Sequence, residues 1–326
     1  MADIFYSLPS VILLGIFMGL LYKANRNSPL KDYFFIGLLA KFSAGIGLLI
    51  IYFKYYEVGD IISYYKDSVL LADYAFQNPG DFIRSIFFNQ HDAEVYSRLI
   101  NQETSPRALL FVKIVTIIMI ITGKNFWITS LYFSLFSFIG FFSLSNQIVL
   151  RFEKAKFAVI IALLFFPSML FWTSGVVKEA LSAGCITLLI SYLFIFTQKK
   201  VAFKWYHFLF SILFVWVLWE IKYYIAAIFL PLAISFLFVQ WYYGKREYSP
   251  LGLLLFGSIL VGFVVLITFT SFNLHVENLP GVIYKNYTAF HRISEVQDVM
   301  SFPSLDGSWT SVIYSAPWAL VSGLFR

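Results

Sequence analysis

Three aspartates crowd the stretch "YFKYYEVGDIISYYKDSVLLADYAF", residues 52–76: Asp60, Asp67 and Asp73. Asp60, Tyr64 and Asp67 stand at i, i+4 and i+7, so a helix through this stretch sets them on one face. Leu70, Leu71 and Tyr74 then supply an apolar side. Asp60 is the first polar group after flexible Gly59. A carboxylate held there is suited to act as general base toward a hydroxyl. The same spacing also describes an amphipathic helix lying on a membrane surface with ordinary solvated carboxylates.

Two further clusters pair a carboxylate with an amine at the edge of an apolar run. In "FFPSMLFWTSGVVKEALSAG", Pro167 and Gly175 mark a junction, and Lys178 and Glu179 open the next run. In "LWEIKYYIAAI", Glu220 and Lys222 repeat the arrangement. Charges in the first turn of a membrane helix are costly unless they snorkel, pair or line a polar cavity. On the functional reading Asp60 and Glu179 are the catalytic acids. Tyr64, Asp67, Lys178, Glu220, Lys222 and Arg292 are then expected to bind substrate, the cations holding an anionic group. His91, His275 and His291 are scattered, and Cys185 is the only cysteine, so no ligand spacing demands a metal. No cofactor is therefore assigned, although a divalent cation bridging carboxylates and phosphate is compatible with this chemistry.

Such residues must be held by a membrane scaffold. The 326-residue chain is 60% hydrophobic and 21% aromatic but only 13% charged, with a mean hydropathy of +0.76. That composition cannot bury its apolar surface in a water-soluble ball. The net charge of +6 reads as basic cytoplasmic loops, and nucleic acid is excluded as a partner. The expected fold is all-α, a polytopic membrane protein of about nine transmembrane helices in one domain, 1–326. Apolar runs of about 20 residues place the spans at 4–22, 33–53, 125–148, 157–173, 177–197, 205–219, 223–243, 251–270 and 310–326. The first run has no basic leader and no small-residue cleavage site, so it is read as a retained helix. The last run reaches the final residue, Arg326, with no polar flank, which reads as a truncated or divergent C-terminus.

The run "RALLFVKIVTIIMIIT" decides the topology. Treated as non-spanning, it leaves "KANRNSPLK", "RFEKAK", "QKKVAFK" and "GKRE" on one side, as the positive-inside rule asks. Segments 54–124, with interfacial helices, and 271–309 then become outer loops. The acidic residues Glu57, Asp60, Asp67, Asp73, Asp81, Asp92, Glu94 and Glu103 all fall in the first of them.

The order of these parts is similar to that of membrane glycosyltransferases of the GT-C superfamily. The resemblance covers roughly residues 33–200: Asp60 soon after a span with Tyr64 four residues on, a long outer loop, an interfacial helix closed by "TGKNFW", a span ending in "RFEKAK", and the "P...FW.SG..KE" junction. It departs from the pattern in two places. Ile61 follows Asp60 where many members carry an acidic pair, and one additional span precedes the core. The junction is also similar to bacterial polysaccharide-assembly membrane proteins, polymerases among them. The resemblance implies a polyprenyl-phosphate-linked sugar donor, a glycan, lipid or protein acceptor, contact with membrane lipid, and an active face turned outward from a bacterial inner membrane. It gives Asp60 and Glu179 the acidic roles. A transporter needs polar groups deep in its spans, for which Lys41 and Asn146 are the candidates. A non-catalytic membrane subunit needs no outer clustering of charge.

The charge argument is testable by cysteine accessibility. Cysteines introduced near Asn101 and Asn125 should label from one and the same side of the membrane, and labelling from opposite sides would make 107–122 a span.

Overall fold

The structure is a computed structural model describing residues 2–88, 97–99, 106–198, 202–243, 250–268, 275–293 and 300–325. Every regular element among these residues is helical. The chain divides into two compact units, Met1–Ile228 and Phe229–Arg326.

In the first unit α1 (Ala2–Ala24) leads to α2 (Phe34–Ile51), which is drawn out by a wide π turn over Tyr52–Tyr56. Then come α3 (Asp60–Gln77), α4 (Pro79–Phe88), α5 (Pro106–Ile121) and α6 (Phe126–Arg151). Residues 156–172 form no single helix. They are split into α7 (Lys156–Val159), a π turn (Ile160–Phe165) and α8 (Pro167–Trp172). Phe166 is extended (ψ 120°), the conformation proline imposes on its predecessor. Pro167 then starts α8, where its missing N–H goes unneeded. α9 (Lys178–Gln198) and α10 (Trp205–Tyr243) follow. The runs expected as separate spans at 205–219 and 223–243 are joined in α10, which is interrupted at Lys222 (φ −138°, ψ 67°).

Local chemistry sets the ends that matter. Glu57 takes a left-handed φ of 58° and closes the π turn. Gly59 (φ 119°) makes a bend open only to glycine. Its carbonyl accepts the amides of Ile62 and Ser63, both at 3.1 Å, and so starts α3 at Asp60. α6 is capped by Asn125, whose side chain accepts the Ile128 amide at 3.2 Å.

α2 and α6 lie antiparallel, as three levels of contact show. At one end Phe34 meets Phe138 and Phe142 edge-on, with ring centroids 5.3 and 5.2 Å apart. Midway the Ser130 hydroxyl donates to the Gly45 carbonyl at 3.3 Å. At the other end Phe53 meets Phe126 at 6.0 Å. The whole segment between them, α3 to α5, therefore leaves and returns at the same end of this pair. At the opposite end Ser28 donates to the Asn146 side chain, and Asn146 donates to Asn25 at 3.3 Å. Asn146 thus ties down the turn after α1. The aromatic core (Leu14, Leu30, Phe34, Leu38, Phe138, Phe142) fills that end.

Five helices are long and apolar enough to cross a membrane: Ser7–Ala24, Lys31–Tyr56, Phe126–Arg151, Lys178–Thr197 and Trp205–Tyr242. Ala108–Ile121 and Pro250–Phe263 are shorter apolar helices. Large side chains such as Ile12, Leu20, Leu39, Phe157, Phe208 and Ile212 are exposed. In the second unit α10 is followed by α11 (Pro250–Thr268), α12 (Leu279–Ile293) and α13 (Trp309–Phe325). Ahead of α13 the Asp306 carboxylate accepts the Ser308 hydroxyl at 2.6 Å and its amide at 2.9 Å. Hydrogen bonds from Ser308 and Ser311 push that carboxyl down to about 2.

α6 and α9 pack through glycine. A methyl on Gly140 would meet the Gly184 carbonyl at 2.7 Å, and one on Gly184 would meet the Phe136 ring at 2.5 Å. Close approach through small residues is how helices associate where no hydrophobic force acts between them. Gly140→Leu should lower thermal stability by about 1–3 kcal/mol, the usual cost of overpacking. Gly47→Leu, which faces open space, serves as the control in the same melting experiment and should be near neutral.

Candidate functional site

The segment 173–177 connects α8 to α9 and lies almost wholly buried. Contacts to α2 and α6 hold it. Gly175, in a left-handed conformation (φ 73°), donates its amide to the Ser134 hydroxyl at 2.9 Å. Its backbone passes so close to α2 that a methyl on Gly45 would meet the Gly175 nitrogen at 3.2 Å. Lys41, only 4% exposed, donates to the Thr173 hydroxyl and, at 3.5 Å, to the Met169 carbonyl. Its ammonium also lies 4.7 Å from the centre of the Phe141 ring. A cation against the last carbonyls of a helix is favoured by the helix dipole, so Lys41 secures the end of α8 and the segment after it. The residues that leave this seat are Lys178 and Glu179.

Around them the predicted side chains gather. The Lys178 ammonium sits 5.3 Å over the Tyr64 ring, a cation–π contact. The Tyr64 hydroxyl donates to Asp60 Oδ2 at 3.3 Å, which realises the i, i+4 pairing. Lys222 Nζ donates to Glu179 Oε1 at 2.6 Å. The Tyr52 and Tyr64 phenols both interact electrostatically with Asp60 and Glu179. Asp60, Tyr64, Lys178, Glu179 and Lys222 thus form one neighbourhood, at the end of α2 where α3 begins.

Tyr64 is the buried member, 2% exposed, with its ring 4.9 Å from Phe111 on α5. Burial, reinforced by the charge and hydrogen bond of Asp60, holds its phenol well above the ordinary tyrosine range. Tyr64 therefore stays a donor to Asp60 at any physiological pH. Asp60 is exposed and keeps Oδ1 without a partner among the described residues, open to an incoming hydroxyl. Glu179 is half exposed, and its partner Lys222 is more buried. Glu179 neutralises Lys222.

The remaining predicted residues sort differently. Asp67 is 2% exposed and engaged in interactions of its own, so it is a buried group and lies off the surface face expected for it. Asp73 pairs with Lys124 at the turn before α6. Glu220 is exposed, two residues before the interruption of α10 at Lys222. Arg292 stands in the last turn of α12 in the second unit, as does His291, while His275 precedes that helix. His91 lies outside the described residues. No group of three metal-binding side chains occurs among the described residues.

The seat itself escaped the sequence reading. Its signal is the run of small polar residues Ser130, Ser134 and Ser137 along one side of an otherwise apolar helix. That pattern marks close helix approach in membranes.

Removing the Lys41 ammonium tests the seat. Lys41→Met keeps length and loses the contacts to Thr173 and Met169. Hydrogen exchange over 169–177 should rise by about tenfold or more, the worth of charged hydrogen bonds, with α1 unchanged. Equal protection in parent and variant would leave Lys41 without a positioning role.

Comparison with known proteins returned no match, whether to a family model, a curated protein or a solved structure.

Proposed function

We propose that this chain is an integral membrane glycosyltransferase that moves a sugar from a polyprenyl-phosphate donor to an acceptor hydroxyl at the outer face of a bacterial inner membrane. The observation that carries the reading is the gathering of Asp60, Tyr64, Lys178, Glu179 and Lys222, from three separate regions of sequence, at one end of the α2–α6 pair. Scattered snorkelling charges have no reason to converge. The five long apolar helices and the exposed apolar side chains along them support a lipid environment. On this reading the broken crossing at 156–172, the two halves of α10, α11 and α13 join α1, α2, α6 and α9 as the nine expected spans. The α3–α5 segment supports an outer loop, since it starts and ends on one side.

In the chemistry, Asp60 Oδ1 takes the proton of the acceptor hydroxyl as its oxygen bonds to the anomeric carbon. The carbon–oxygen bond to phosphate breaks, the phosphate keeps the electron pair, and the configuration inverts. Tyr64 orients Asp60 through Oδ2. Lys178, and Lys222 once its contact with Glu179 shifts, would meet the charge developing on the phosphate. Glu179 would hold Lys222 in place until then.

One observation favours a second reading, a transporter: the cation of Lys41 is buried beside the discontinuous helix 156–172. Its bonds to Thr173 and Met169 give it a structural task, which weakens that reading.

Asp60→Asn should lower transfer by ~10²–10⁴-fold, the range for a lost general base, while Asp73→Asn, which breaks the exposed pair with Lys124 and leaves Asp60 and Tyr64 in place, costs much less. The assay is transfer from radiolabelled polyprenyl-phosphate sugar in membranes, with expression and melting matched to the parent. Turnover by Asp60→Asn close to the parental rate would dismiss the carboxylate and the mechanism with it.

A further inference from the structure

At Phe53 and Tyr65, next in sequence to Tyr52 and Tyr64, lies a concavity of about 540 Å³. That is within the range of small-ligand sites. Its walls are aromatic: Phe53, Tyr65, Phe126 and Trp127. Phe53 is 5.6 Å from Tyr65 and 6.1 Å from Trp127, and Tyr65 is 4.9 Å from Phe126. The rings meet at 78°, 34° and 55°, so they offer both faces and edges. Trp127 is exposed.

The rim is the turn Gly123, Lys124, Asn125. Gly123 and Lys124 both take a left-handed φ of 63°. For lysine this is a strained conformation, and it is held by the Lys124 amide on the Met119 carbonyl at 2.7 Å and by the ion pair with Asp73. The Lys124 ammonium also lies 5.5 Å from the centre of the Phe76 ring. Its charge is thus already matched, and the cleft offers no unpaired cation to a phosphate. What it does offer is neutral donors. The Trp127 indole N–H, the Tyr65 hydroxyl and the Asn125 NH₂ have no protein partner among the described residues, while Asn125 Oδ1 is fixed by capping α6.

Aromatic faces, neutral donors and no spare charge are the chemistry that recognises a sugar ring, whose C–H face is apolar and whose edge is hydroxyl. We infer that the cleft formed by Phe53, Tyr65, Phe126 and Trp127 is a saccharide subsite that holds a glycan acceptor. As a choice among acceptor classes this rests on the transferase reading, but saccharide binding is measured without turnover.

The test uses the purified full chain in lipid nanodiscs and saturation-transfer NMR. The probes are tetrasaccharides built from glucose, galactose, mannose or N-acetylglucosamine. At least one should receive saturation, and Trp127→Ala should weaken it by about tenfold, in keeping with the loss of one aromatic contact. Trp127→Phe should recover much of the affinity, and Tyr65→Phe, which removes one donor, should cost a few-fold. Asp60→Asn should bind as the parent does, so a dead transferase that still binds saccharide separates the two proposals. Three results overturn the subsite: no transfer to any of the four probes, an equal loss in the exposed control Trp205→Ala, or a fall in melting temperature for Trp127→Ala with saccharide signals unchanged. The last would assign Trp127 to the bilayer interface.

Discussion

Everything described at the site hangs on the burial of five residues, 173–177, against α2 and α6. Non-helical backbone inside an apolar structure must find partners for its amides and carbonyls, and here Ser134 takes the Gly175 amide while Lys41 supports the end of α8. Gly45 and Gly175 allow the approach because neither has a side chain to clear. A bulkier pair would push the segment outward and carry Lys178 and Glu179 with it. The pinned segment fixes where α9 starts, and the start of α9 fixes where its first two charges stand.

A second arm reaches the same place from the other direction. The π turn ending α2, closed by Glu57 and Gly59, aims α3 so that Asp60 is its first residue and Tyr64 faces inward. Tyr64 is where the two arms touch, with Asp60 on its hydroxyl and Lys178 over its ring. Phe111 of α5 backs the ring, which explains an apolar helix of only sixteen residues in this segment: it covers α3. Its buried Lys113 gives its ammonium to the Ser85 carbonyl on α4 at 2.6 Å, closing α3, α4 and α5 into one group.

The two regions differ in charge, and the difference is local. Around Tyr64 two amines, Lys178 and Lys222, stand with two carboxylates, Asp60 and Glu179. Among the residues lining the aromatic cleft the one amine, Lys124, is matched by Asp73. On the proposed reading the charged group meets the phosphate-bearing donor and the neutral cleft a saccharide that carries no phosphate.

Much of this was legible in the sequence, and the reason is the membrane-like composition. Long apolar runs leave few conformations besides helix, so α1, α2, α6 and α9 follow from hydropathy and length alone, whereas the joining of 205–219 and 223–243 into α10 does not. The i, i+4 spacing of Asp60 and Tyr64 survives folding because it is a property of one helix. Contacts between helices are another matter. Nothing in the local pattern says that Glu179 meets Lys222 across 43 positions, that Asp67 turns inward while Asp60 stays in the open, or that Lys41 reaches Thr173. Those were decided by how α2, α6 and α9 pack, and packing depends on which small residues face one another. Sequence determined the helices and the residues able to do chemistry. Tertiary structure decided which of them became neighbours, because helix approach is set by side-chain volume on two surfaces at once, and a linear pattern describes only one.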